Sequence, residues 1–159
     1  MVVSLTMSDY DTDVYAWSLL QGALLRRLAA GERVNDADLD WPNIAEEIET
    51  VGRSERGAVA SHITNIIEHL IKLEASPAED QRAGWKSTVR RSRVRIENLL
   101  KDSPSLKRLV PELISEATPP GRRLADISLT DHGEVPTVDL QSLTYSPEEV
   151  LGDWFPDYP

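Results

Sequence analysis

The chain has 159 residues, 40% of them hydrophobic, no cysteine, and a net charge of −10 from 17 basic and 27 acidic side chains. That composition fits one folded domain and excludes a disulfide scaffold, thiolate metal sites and a thiol nucleophile. No apolar run reaches the roughly 20 residues of a membrane helix, and the opening MVVSLTMSDY lacks a basic start followed by an apolar stretch. A cytoplasmic protein with no membrane partner is therefore expected.

A first helix is expected over residues 12–30, where Val14, Trp17, Leu20, Leu24, Leu25 and Leu28 recur at helical spacing. Asp9, Asp11 and Asp13 crowd its start, where carboxylates suit the exposed amides, and Gly31 follows its end. Asp40 reads as the cap of a second helix, with Pro42 in its first turn and Leu39 and Ile44 placed as a hydrophobic staple. That helix is expected to run from Trp41 toward Ala75, ended by Pro77. Gly52 and Gly57 each weaken it by about 1 kcal/mol, so its continuity through VGRSERG stays open.

Residues 80–102 predict a third helix with the stripe Trp85, Val89, Ser92, Ile96, Leu99 and Leu100. Bases flank that stripe on both sides. Residues 82–101 carry seven of them (Arg82, Lys86, Arg90, Arg91, Arg93, Arg95, Lys101) and one acid, Glu97, a net of +6 against −16 for the rest. Further on, Pro111 calls for a short turn and then a helix, and Pro119-Pro120 for another start. Ser146-Pro147-Glu148-Glu149 has the cap, the first-turn proline and the glutamate of a capping box. The last 15 residues hold Tyr145, Trp154, Phe155 and Tyr158, which should pack on the helices. No strand pattern or internal repeat appears. The expected fold is all-α: a single-domain antiparallel helical bundle over residues 1–159, with a long second helix and an irregular, acidic, aromatic tail from residue 129.

YDTDVYAW, DLDWPNIAEEIETVGRSER, HLIKLEASP, GWKSTVRRSRVRIENLLKDSPSL and YSPEEVLGDWFP together resemble the domain-of-unknown-function family numbered twenty-nine, from about Tyr10 to Pro156. The resemblance implies a mostly helical bacterial protein and no known activity. It singles out Asp11, Asp13, Glu46, Glu47, Glu49, Ser54, His69 and Arg93 as polar positions matching the family pattern, and leaves out His62.

Three constellations bear on chemistry. In IIEHLIKL, the apolar stripe of Val59, Ile63, Ile66, Ile67, Leu70 and Leu73 spans roughly −80° to +40° about Ile63, and His69 falls at about −120°, His62 at about −100°. Both border the core. Residues seven apart rise about 10.5 Å, so His62 and His69 cannot share one ion. His69 is the one candidate metal ligand, with Asp11, Asp13 or Glu97 from other helices as partners; no cofactor is evident. The plainer reading is a core-edge histidine hydrogen-bonded to a carboxylate or carbonyl. Glu46 and Glu49 share a face, but Glu-x-x-Glu is not the Glu-x-x-His of bundle di-iron sites, and helix-start acids usually complement the dipole. On a straight helix Glu49 and His69 lie about 30 Å apart.

The basic helix 82–101 could contact phosphates, making nucleic acid a third option. Pairing with Glu46, Glu47, Glu49, Glu55 and Glu68 is the reading its spread of charge favours, with Arg93 the base to be buried. The lead expectation is a non-enzymatic interaction protein, a homodimer through an apolar face of the long helix. The alternative is a metal-binding protein or enzyme with an interhelical carboxylate/histidine site centred on His69.

Overall fold

The computed structural model describes residues 10–158. Asp13 opens α1 (Val14–Ala29) by accepting the Ala16 amide at 2.9 Å. Gly31, at φ 80°, turns the chain after it, a left-handed conformation that suits glycine. A short 3-10 helix, Asp36–Asp38, leads to α2 (Trp41–Ala75). The Asp40 carboxylate accepts from the Asn43 side chain at 2.8 Å and the Trp17 indole at 3.0 Å. Trp17, Leu24, Leu39 and Ile44 form a small core, so both staple residues are buried. Buried Gln21 spends its amide on the Asp40 N–H, 3.0 Å, and the Asp38 carbonyl, 3.2 Å. These contacts belong to the first of two compact units, residues 1–53.

The second unit, residues 54–159, holds the rest of α2 with α3 (Arg82–Asp102), α4 (Val110–Asp131) and the short α5 (Pro147–Leu151). No strand occurs among the described residues, and the fold is all-α. α2 runs without interruption through Gly52 and Gly57. The expected stripe from Val59 to Leu73 is fully buried, and Ile71 and Lys72 are buried as well, so α2 is enclosed on more than its apolar face. α3 returns antiparallel: the Asn65 amide donates to Ser92 Oγ at 2.8 Å, and Lys72 lies over the Trp85 ring.

α4 then runs in the direction of α2. Arg56 meets Glu112 and Glu116 near the start of α4, and Gly121 lies against Ile67 farther along. The expected new start after Pro119-Pro120 does not occur; both prolines lie inside α4. Two reasons are visible. The carbonyls they leave without donors belong to Ser115 and Glu116, exposed residues on the solvent side of the helix, so the missing bonds do not fall in the core. Leu113, Ile114, Ala117, Gly121, Ala125 and Leu129 keep one continuous buried face across the break in bonding.

The end of α2 is capped from afar. Arg82 donates to the Leu73 carbonyl at 2.6 Å, and the Thr137 amide to that of Ala75 at 2.8 Å. The capping box of α5 forms as expected, with Ser146 and Glu149 in reciprocal bonds. Tyr145 is buried and Phe155 packs on the main core, whereas Trp154 and Tyr158 keep 38% and 52% of their surface exposed.

Candidate functional site

His69 is half-buried on α2, at the border of the core as its angular position requires. Its Nδ1 lies 2.8 Å from the Asn65 carbonyl, one turn back on the same helix. A carbonyl only accepts, so Nδ1 carries the hydrogen and Nε2 keeps the lone pair. Burial pushes the imidazole pKa below its ordinary value and the Lys72 charge adds to that, against the Asn65 carbonyl and the Glu68 carboxylate.

Around it runs a polar seam. Lys72, only 5% exposed, pairs with Glu68 at 2.9 Å and places its ammonium 5.5 Å from the Trp85 ring centre. Asn65 and Ser92 close the seam from the two helices. A buried lysine held by one carboxylate and one aromatic face is well matched, and the neutral imidazole beside it adds no second cation. The seam is a wall of satisfied polar groups with one lone-pair nitrogen, His69 Nε2.

The other sequence candidates are engaged elsewhere. Asp13 caps α1, and Asp11 is exposed near its start, both in the first unit. The pairings Asn65–Ser92 and Lys72–Trp85 set the α2–α3 register, which puts Glu97 about nine residues, some 14 Å, beyond the level of His69. Glu46 and Glu49 both reach Arg53 on their own helix, and Glu47 accepts from the Tyr10 hydroxyl. His62 is half-buried one heptad before His69. Among the described residues no group of three or more His, Asp or Glu side chains is arranged to hold a metal ion.

Arg93 is buried, as its place beside the α3 stripe implies, but its partners differ from the glutamates expected. Nε donates to the Val150 carbonyl at 2.9 Å, and one Nη to those of Glu149 at 2.8 Å and Trp154 at 2.7 Å. The closing carbonyls of α5 carry partial negative charge, and a planar fork of donors suits two of them together with the Trp154 carbonyl beyond the helix. Phe155 covers the guanidinium at 4.7 Å, and burial pushes its pKa below the ordinary arginine value. Glu68, in turn, pairs with Lys72 and not with α3.

Sequence reasoning missed Lys72, Asn65 and the bond of Tyr145 to Glu74, 2.8 Å. Asn65, Glu68 and Lys72 share a face through their three- and four-residue spacing, which was the available signal.

No curated protein and no solved structure matches the chain. Residues 10–155, nearly the whole length, match the family described as Domain of unknown function DUF29, and the chain belongs to that family.

Proposed function

We propose that this chain is a non-enzymatic interaction protein whose first unit receives a basic, amphipathic segment of another protein. The observation that carries this is the apolar stripe of α2 continuing past its core. Ile44, Ile48 and Val51 share one helix face, and Ile44 is buried while Ile48 and Val51 are 69% and 66% exposed. Val14, Tyr15, Leu19, Leu28 and Trp41 add further exposed apolar surface to the same unit. By contrast, the apolar face from Val59 to Leu73 is covered within the second unit, which moves the expected docking face toward the amino-terminal end of α2.

Charge selects the occupant. Residues 1–53 hold ten acids and four bases, a net of −6. A second copy would bring the same −6, so self-pairing sets like charge against like, whereas a Leu/Lys helix offers apolar anchors and opposite sign. The test is titration of isotope-labelled protein with a synthetic amphipathic Leu/Lys helix. Chemical-shift changes centred on Ile48 and Val51, lost in I48S/V51S, support the reading. Equal binding of a Lys/Ser peptide of the same charge would reduce it to non-specific polycation attraction. Dimerisation of the protein alone that I48S/V51S abolishes would replace the partner with a second copy.

A further inference from the structure

Among the described residues no ion pair answers the surplus charge of α3, although the Asp153 carboxylate acts on Arg93 through space. Among the described residues the ion pairs involve Arg27, Arg53, Arg56 and Lys72, and none of the seven bases between residues 82 and 101. The tail meets several of them through neutral groups. Lys86, Arg90 and Arg93 lie 5.5, 5.0 and 4.7 Å from the ring centre of Phe155, and Arg82 lies 5.0 Å from that of Tyr158. Carbonyls and rings solvate a cation without cancelling its charge, so the like-charge repulsion of three cations around one phenyl ring remains.

Two members of this cluster, Arg90 and Arg93, also line a cavity of about 770 Å³ formed by α3, the 3-10 helix Pro104–Leu109, the end of α5 and the turn after it. Its cations are Arg90, Arg93, Lys101 and Lys107, and its acids are Glu97 and Asp153, a local surplus of two positive charges. Val94, Leu100, Pro104 and Leu151 supply an apolar side. Arg93 is 8% exposed, and its Nη1 is buried with no hydrogen-bond partner among the described residues. A cationic donor left unpaired in the interior is costly, and an anion is the partner that relieves it most. The −10 of the whole chain does not forbid this, because salt at physiological strength confines each charge to about 8 Å.

We propose that this cavity binds a small amphiphilic carboxylate, its head group held by Arg93, Lys101 and Lys107 and its apolar body laid on Leu100 and Leu151. The volume lies in the range of small-molecule sites, about 300–1,000 Å³, and a few cations beside an apolar wall suit an acid with a short hydrocarbon chain. The inference is independent of the docking surface on the first unit.

The test is titration of the full chain with octanoate, read by NMR of the arginine side-chain N–H groups and of the Leu100 and Leu151 methyls. Saturable shifts at those groups with millimolar or tighter affinity are expected. The uncharged octanamide should bind about tenfold more weakly. The exposed pair K101Q/K107Q, which leaves the Arg93 anchor in place, should weaken octanoate by a similar factor. Equal binding of octanamide, or shifts located elsewhere, would overturn the proposal. So would a null result with octanoate alongside low-salt binding of a short oligonucleotide, which would assign the α3 charge to nucleic acid.

Discussion

Gly121→Ala tests the close approach of α4 to α2 in the second unit. A Cβ built on Gly121 would lie 2.8 Å from Ile67 Cγ2, 3.1 Å from Ile67 Cβ and 3.3 Å from the Thr64 carbonyl oxygen. Ordinary carbon contacts need about 3.5–4.0 Å, so α4 must move off α2 by most of an ångström or Ile67 must turn. Ile67 is β-branched and on a helix, where one rotamer dominates, and it is fully buried. The Thr64 oxygen is backbone and cannot swing away. Overpacking of this kind costs about 1–3 kcal/mol. Against it stands the helix preference for alanine, worth up to about 1 kcal/mol. With the full preference subtracted, the balance predicts a loss of about 0–2 kcal/mol.

The assay is urea unfolding of the second unit, followed through the indole signals of Trp85 and Trp154. Ile67→Ala removes the nearest colliding atom. Although it costs about 2–5 kcal/mol alone, G121A added to it should cost less than in the native background. A stabilised G121A, or the same penalty in both backgrounds, would show that the helices have room at this crossing and that the tight approach is not a constraint.

Arg93→Lys keeps the charge but not the fork, so about 2–4 kcal/mol should be lost, with faster hydrogen exchange over residues 147–158 and little change in α1. Tyr145→Phe leaves Glu74 without its hydroxyl partner and should cost about 1–2 kcal/mol in the same urea assay. The lowered pKa of His69 means the unfolded chain binds its proton more readily than the folded one. Stability from this group is therefore complete above the ordinary value of 6.5 and is lost as pH falls below it toward the folded pKa. His69→Gln should flatten the dependence of the urea midpoint on pH between about 7.5 and 5.5 relative to the native chain; an unchanged slope would assign it to other groups.

Legibility followed the range of the interaction. The Ser146–Glu149 capping box, the Leu39–Ile44 staple and the left-handed Gly31 lie within a few residues of their partners, and all three form. The Val59–Leu73 stripe was legible because periodicity reports a face. What periodicity does not report is how many faces are covered. Lys72 lies about 180° from Ile63, the direction of solvent on a surface helix, yet it is 5% exposed because α3 packs there. The prolines of α4 reverse a local rule for a similar reason: a buried face on both sides of the break holds the helix through two missing bonds.

Arg93 shows where the sequence has least to say. Its burial followed from its place beside the α3 stripe, but its partners are backbone carbonyls, which every residue carries and no residue type announces. The functional consequence is electrostatic. Had α3 met the glutamates of α2, its charge would be spent inside the fold, and the helix would be structural in both senses. Instead Glu46, Glu49 and Glu68 of α2 pair with Arg53 and Lys72 on their own helix, and the tail binds α3 through dipoles and rings. The tail is acidic, yet among the described residues none of its carboxylates forms an ion pair with α3. Four bases against two acids therefore remain at the cavity beside Arg93, and that retained charge favours a negatively charged ligand.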